Sequence, residues 1–124
     1  MLNKDRIRIR HMLDATEKAL GFSDTIRRQD LQSDEMRALA IIRLLEIIGE
    51  AASKVSEETR TAHPDIPWRE MSGTRNRLIH AYEEVDLDIV WQILSTDLPP
   101  LRNALHHLLR GHDAQTPLFE GEGS

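Results

Sequence analysis

An arginine and a histidine stand close together in the stretch Arg75-Asn76-Arg77-Leu78-Ile79-His80-Ala81-Tyr82. Arginine is a permanent cation with a planar fork for phosphate oxygens, and histidine exchanges protons near neutral pH. Arg75 and His80 could therefore hold a phosphodiester and move the protons needed to cleave it without a metal ion. The same spacing recurs at Arg6/His11 and Arg102/His107, so the pair alone does not identify a site.

The offset between the two residues limits how they can act together. On a regular helix a five-residue offset turns by about 140°, so Arg75 and His80 would not share a face, whereas Asn76 and His80 would. We therefore expect either that the helix ends near His80 or that the site combines residues of two chains across a twofold axis. A histidine that closes a helix C-terminus, where its cation is favourable, is the structural alternative.

Other polar groups offer weaker candidates. Glu50 follows Gly49 in an apolar stretch; the glycine favours close helix approach, and the carboxylate could reach into a cleft as a supporting residue. A magnesium or manganese site would need converging oxygen ligands, for which Glu83, Glu84, Asp86 and Asp88 are available, although such acids more often cap a helix. A transition-metal site at His106, His107 and His112 is disfavoured by their spacing. We expect no metal ligands.

Composition narrows the classes of protein. The chain has 124 residues, 40% hydrophobic and 30% charged, which is typical of one folded domain. It has no cysteine, which excludes disulfides and thiolate chemistry. The net charge of −5 means that a polyanion could bind only at a local basic patch. No run is long and apolar enough for a membrane span, and Met1–Asp5 lacks a signal-peptide core, so we expect a cytoplasmic protein.

Hydrophobic periodicity predicts helices almost throughout and no strands. We expect a first helix from about Ile9 that stops at Gly21, and a short helix capped by Ser23 or Asp24. Further caps are expected at Ser33, Ser56, Thr74 and Asp86, with Pro67 in a first helical turn and Gly73 at a helix end. Pro99-Pro100 should kink or restart the last helix. The prediction is an antiparallel all-α bundle over residues 1–112, with a flexible tail at 113–124.

The helix after Ser33 is apolar on more than one face between Leu39 and Ile48. Such a helix is either central to its domain or partly covered by another subunit. In a chain this small we expect both, and therefore a homodimer.

The chain resembles the HepT-like branch of the HEPN superfamily over about residues 5–110. The resemblance lies in these segments, in order: Ile47-Ile48-Gly49-Glu50-Ala51-Ala52, Ile66-Pro67-Trp68, Gly73, Arg75 to Tyr82, Val85-Asp86 and Val90-Trp91. The central segment matches the branch's motif of Arg, four residues, His, one residue, Tyr. That match distinguishes Arg75/His80 from the other two Arg–His pairs.

The resemblance implies a dimeric all-α ribonuclease that needs no metal or cofactor and acts as the toxin of a toxin–antitoxin pair. His80 would transfer protons as a ribose 2′-hydroxyl attacks the neighbouring phosphate. Arg75 would hold that phosphate, and Asn76 would orient His80 or the phosphate. Tyr82 would be the residue to which a partner nucleotidyltransferase antitoxin (MNT-type) transfers AMP from ATP.

Two other readings stay open. The Arg/His/Tyr cluster could belong to a non-catalytic helical module that binds a nucleotide or the partner protein. Alternatively, the acids from Glu83 to Asp88 could serve a metal-dependent nuclease, whose activity a chelator would remove.

Overall fold

Helices make up most of the computed structural model, which describes residues 1–80 and 84–115, with side chains at 1–78 and 84–111. The helices are α1 (Asn3–Ser23), α2 (Asp30–Ser33), α3 (Glu35–Ser53), α4 (Glu57–Ala62), α5 (Trp68–Ser72), α6 (Thr74–Leu78), α7 (Leu87–Gln92) and α8 (Leu98–Gln115). A π-helical segment, Ile93–Asp97, joins α7 to α8, and two short strands, β1 (Ile79–His80) and β2 (Glu84–Val85), follow α6. The predicted all-α helical bundle is confirmed, with this strand pair as its one addition in the described part of the chain.

The core lies where α1 packs against α3 on one side and α8 on the other. Its residues are spaced three or four apart on each helix, so that one stripe per helix is removed from water. The fully buried members include Ile9 and Met12 of α1, Ile41, Leu45 and Ile48 of α3, and Leu98, Leu101 and Leu105 of α8. Residues predicted from periodicity to face the interior therefore do so.

The first helix is longer than expected at both ends. It begins at Asn3 and continues through Gly21 to Ser23, so the predicted stop at Gly21 is wrong. Phe22 packs against the core, and the Ser23 hydroxyl donates to the Leu20 carbonyl at 2.8 Å. The contacts of the residues after Gly21 outweigh the small helix penalty of one glycine.

Two predicted caps are displaced along the chain. The cap of α3 is Asp34 rather than Ser33, because the Asp34 carboxylate accepts a hydrogen bond from the Arg37 backbone N–H at 3.1 Å. Ser23 and Asp24 do not cap a short helix; the short helix α2 instead begins at Asp30. Neighbouring residues of capping type cannot be ranked from sequence, since each offers a suitable oxygen.

Other helix ends follow the prediction more closely. Ser56 caps α4, Asp86 caps α7, and Gly73 ends α5. Pro67 comes just before the first residue of α5 rather than inside it. Thr74 is the first residue of α6, not its cap, and its hydroxyl donates to the Met71 carbonyl at 2.6 Å.

The last helical region is interrupted at Pro99-Pro100, as predicted. Just before this pair, the backbone widens into the π-helical segment, where the Leu98 N–H bonds the Ile93 carbonyl five residues earlier. Pro99 and Pro100 then occupy the first turn of α8, where missing backbone donors cost least. The apolar side chains therefore continue along α8, which starts as a new helix at the prolines.

Candidate active site

A close approach of two helices builds one side of the candidate site. A Cβ atom at Gly49 of α3 would lie 2.8 Å from the Met71 carbonyl oxygen and 3.3 Å from the Thr74 Cβ. Only glycine fits this gap without a shift of the backbone. The next residues along the chain, Glu50 and Arg75, are thereby brought to the same surface.

That surface contains a cavity of about 290 Å³ between α3 and the α5–α6 segment. Its lining is mostly polar and comprises Arg43, Glu46, Gly49, Glu50, Ser53, Ser72 and Arg75. Glu50 and Arg75, which are 25 positions apart, therefore line one cavity. We call it the Arg75 cavity.

The two arginines of the Arg75 cavity differ in their electrostatic surroundings. The Arg43 guanidinium lies 3.5 Å from a Glu46 carboxylate oxygen and 3.6 Å from one of Glu50. The guanidinium of Arg75 is exposed and has no hydrogen-bond or ion-pair partner among the described residues. Arg75 is thus available to an incoming anion, whereas Arg43 is largely neutralised.

The backbone after Arg75 leaves the helical path before His80. Helix α6 ends at Leu78, and β1 pairs antiparallel with β2, with Ile79 opposite Val85 and His80 opposite Glu84. The Asp86 N–H donates to the Leu78 carbonyl at 2.7 Å, next to this pairing. Of the two arrangements expected for the Arg75/His80 offset, the helix ending near His80 is the one observed.

This backbone path also changes the prediction for Asn76. A shared helical face for Asn76 and His80 is wrong, because the helix ends between them. Asn76 is exposed and is not among the described residues that line the Arg75 cavity. The side chain of His80, and all of Tyr82 and Glu83, lie outside the described part.

A second ion pair holds α6 in place, and sequence reasoning missed it. The Arg77 guanidinium lies 2.9 Å from a carboxylate oxygen of Asp97, and both side chains are only about a quarter exposed, at 27% and 25%. Asp97 belongs to the π-helical segment, so the pair ties α6 to the region just before α8. Charges 20 positions apart in different helices carry no local sequence signal.

Two of the acids considered as metal ligands, Asp86 and Asp88, serve a helix end and an ion pair. Asp86 accepts hydrogen bonds from the backbone N–H groups of Asp88 and Ile89, while Asp88 pairs with Arg28 at 2.7 Å. Glu84 is exposed. This is the capping alternative that the sequence favoured.

The two histidine candidates whose side chains are described, His106 and His107, are likewise not gathered into a site. His106 lies 2.9 Å from a Glu17 carboxylate oxygen, and His107 is exposed. The side chain of His112 lies outside the described part of the structure. Within residues 1–80 and 84–115 as described, no group of three or more histidine and acidic side chains could hold a metal ion.

None of the described helices is long and apolar enough to cross a membrane.

Comparison with known proteins identifies the family. The sequence model of the family described as ribonuclease HepT-like matches residues 12–108, which include Arg75 and His80. The chain is 39% identical to a probable ribonuclease HepT of Thermococcus cleftensis over 77% of this chain and 86% of that one. It is 35% identical to a proposed RNase of Methanocaldococcus jannaschii (73% and 84% covered) and 32% identical to one of Caldanaerobacter subterraneus (82% and 91%).

No solved structure matches the chain significantly. The family model covers most of the chain, including residues 43–85, which contain the lining of the Arg75 cavity and both strands. The chain therefore belongs to the ribonuclease HepT-like family.

Proposed function

We propose that this protein is a metal-independent endoribonuclease whose reaction centre is Arg75 and His80. The observation that carries the proposal is the exposed guanidinium of Arg75, which has no partner among the described residues, on a cavity whose other arginine is neutralised. Family membership and the relatives named as ribonucleases support RNA as the substrate.

In the proposed reaction, His80 accepts the proton of a ribose 2′-hydroxyl. The 2′-oxygen attacks the adjacent phosphorus, and the bond from phosphorus to the 5′-oxygen breaks. The leaving 5′-oxygen takes a proton from water, and His80 returns to solvent the proton that it accepted. The products are a 2′,3′-cyclic phosphate and a 5′-hydroxyl. Arg75 stabilises the charge that develops on the non-bridging oxygens, because its cation is fixed where that charge forms. DNA lacks the nucleophile and is not cut.

The proposal includes a homodimer formed along α3. Met36 and Leu39 are 83% and 58% exposed, although both are large apolar side chains. With Arg43, Ile47 and Glu50 they follow one another at intervals of three or four residues, which places them along one stripe of the helix. The stripe ends at the Arg75 cavity, so a second copy packed along it would bring two such cavities together.

We further propose that the enzyme is the toxin of a toxin–antitoxin pair and that a nucleotidyltransferase antitoxin silences it by transferring AMP to Tyr82. The resemblance of the Arg75–Tyr82 segment to the HepT-like motif supports this assignment. An added phosphate two residues after His80 would repel RNA by charge and block it by size.

The test is cleavage of a mixed RNA pool by purified, partner-free protein in the presence of EDTA. We expect the parent to leave cyclic phosphate ends, and His80→Ala and Arg75→Ala to lose activity. Arg102→Ala is the control, since Arg102 is exposed on α8 outside the Arg75 cavity.

Two outcomes would contradict the proposal in different ways. Activity that EDTA removes would indicate a metal-dependent nuclease. No cleavage by a parent whose Tyr82 is shown by mass to be unmodified would indicate a module that binds nucleotide or partner without catalysis.

A further inference from the structure

A second cavity adjoins the Arg75 cavity on the side of α4 and α5. It has a volume of about 440 Å³ and is lined by Glu57, Arg60, Thr61, Trp68, Arg69 and Ser72. Ser72 lines both cavities, so the two form one continuous surface across this residue. We call the second one the Arg69 cavity.

The Arg69 cavity is basic and its cations are available. Arg60 and Arg69 face a single carboxylate, that of Glu57, and the guanidinium of neither arginine has an ion-pair or hydrogen-bond partner among the described residues. The Nε of Arg60 is sealed from solvent without an acceptor. The terminal guanidinium nitrogens of Arg60 and Arg69 are therefore the groups available to an anionic ligand.

Several arginines elsewhere in the described part are matched to carboxylates. Arg28 pairs with Asp88, Arg37 with Asp34, and Arg77 with Asp97. The chain as a whole is acidic, so an RNA strand would be repelled unless a local patch held its backbone. The cations of the Arg69 cavity, which have no partner in the described part of the chain, lie next to the position proposed for the scissile phosphate.

The floor of the Arg69 cavity is rigid. Trp68 is 8% exposed, and its indole N–H donates to the His63 carbonyl at 2.9 Å. Arg69 and Ser72, three residues apart on α5, share a helix face that leads toward Arg75. The surface thus presents hydroxyl and guanidinium groups next to a buried, hydrogen-bonded tryptophan.

We propose that the Arg69 cavity is a binding subsite for the sugar–phosphate backbone of the RNA strand next to the cleaved bond. The proposal rests on the proposed ribonuclease function. Arg69 and Arg60 bind the phosphates that flank the scissile one, since a guanidinium fork matches phosphate oxygens. The Ser72 and Thr61 hydroxyls bind the backbone between them. The contacts are to the backbone, so they add affinity without base specificity.

The test measures the affinity of the protein for 2′-O-methyl RNA of mixed sequence, which cannot be cleaved. The strands increase in length from a dinucleotide, and one series is extended at the 5′ end and the other at the 3′ end. For the parent, affinity should rise as the strand reaches the Arg69 cavity. Arg69→Ala and Arg60→Gln should weaken binding of the longer strands about 5-fold each. Each should also reduce the slope of log K against log salt by about 0.7, the value for one phosphate contact on a single strand.

Matched measurements separate this subsite from the reaction centre. Arg102→Ala, exposed on α8, should bind all lengths as the parent does. Cleavage of a dinucleotide substrate should also be unchanged in Arg102→Ala, because Arg102 lines neither of the two cavities. Thermal unfolding of each variant shows whether it is folded.

The outcomes distinguish this proposal from the proposed function. Length dependence retained in both variants, or an equal loss at every length, overturns the subsite even if RNA is cleaved. If the parent cleaves no RNA but its affinity depends on strand length, and Arg69→Ala loses this dependence, the subsite is supported and the ribonuclease function is overturned. Variants that weaken only association with a partner protein overturn the subsite.

Discussion

A Cβ atom at Gly49 would lie 2.8 Å from the carbonyl oxygen of Met71. Backbone atoms cannot move aside as a flexible side chain does, so Gly49→Ala must push α3 away from α5. We expect this variant to lose about 1–3 kcal/mol of unfolding free energy, measured by urea denaturation. RNA cleavage should also fall, because the same shift separates Glu50 from Arg75.

Gly21→Ala is the matched control for this change. Gly21 lies within α1, and nothing is within 4 Å of its added Cβ. Alanine is the better helix former, so this variant should gain up to about 1 kcal/mol. Equal stabilities for the two variants would show that the contact at Gly49 is not tight.

The buried carboxylate of Asp5 links α1 to the start of α4. Asp5 is 1% exposed and accepts hydrogen bonds from the Ser56 hydroxyl at 2.5 Å, the Thr59 hydroxyl at 2.7 Å and the Ser56 N–H at 3.0 Å. Burial raises the pKa of Asp5, but these hydrogen bonds outweigh it and hold the pKa below the usual 3.8. The ionised form is therefore the one that stabilises the fold.

A lowered folded-state pKa fixes the sign of the pH dependence. The stabilisation by Asp5 is fully present above pH 3.8, the ordinary pKa, and is lost as the pH falls through the lower folded-state pKa. Asp5→Asn should cost about 1–3 kcal/mol at neutral pH, because an amide cannot accept all three bonds. That cost should shrink in acid, as followed by urea denaturation across the pH range.

Asp14→Asn is the control for the charge change. Asp14 is 68% exposed and pairs only with Lys18, four residues along the same helix, so its loss should cost under about 1 kcal/mol. A cost of Asp5→Asn that stayed constant from neutral pH into acid would contradict the assignment.

The sequence predicted contacts between residues that are close together in the chain better than contacts between residues far apart in it. Ser56 and Asp86 were predicted as caps because the capping oxygen and its helix are adjacent in the chain. The contacts from Asp5 to Ser56 and from Arg77 to Asp97 join residues 51 and 20 positions apart, for which no local pattern exists. Two-residue strands are likewise too short to show an alternating pattern.

In the candidate site, too, features set by local sequence were predicted and features set by tertiary contacts were not. Gly49 and Glu50 were singled out because a glycine in an apolar helix favours close approach, and the structure puts Glu50 and Arg75 on one cavity. The helical geometry assumed for Asn76 and His80 failed, since tertiary pairing with β2 ends the helix at Leu78. The Arg69 cavity was not anticipated, because Arg60 and Arg69 are in different helices.

The Arg77–Asp97 pair should be worth more than an exposed one. Both side chains are about three-quarters buried, so solvent screens the pair less. In a double-mutant cycle with Arg77→Ala and Asp97→Ala, we expect a coupling free energy of about 1–3 kcal/mol. The Arg28–Asp88 pair, whose aspartate is 83% exposed, should give under about 1 kcal/mol. Equal couplings would mean that burial does not strengthen the Arg77 pair.

Ile48 tests the face of α3 that packs into the bundle. It is 1% exposed, so Ile48→Ala removes buried methyl groups and leaves a cavity. The expected loss of unfolding free energy is about 2–5 kcal/mol, measured by urea denaturation. A loss well under about 1 kcal/mol with the dimer intact would show that this face has been misassigned.

The opposite face of α3 tests the homodimer. Leu39 is 58% exposed, so a charge there is solvated in the monomer but removed from water in the proposed dimer. Leu39→Glu should therefore shift the protein to a monomer in sedimentation velocity while its fold, followed by circular dichroism, is kept. Cleavage should fall with the dimer if two Arg75 cavities form one cleft. Ile7→Glu is the control, since Ile7 is 45% exposed on α1 and is not part of the stripe along α3. If Leu39→Glu remained dimeric, or if Ile7→Glu dissociated the protein instead, the interface would lie elsewhere than on α3.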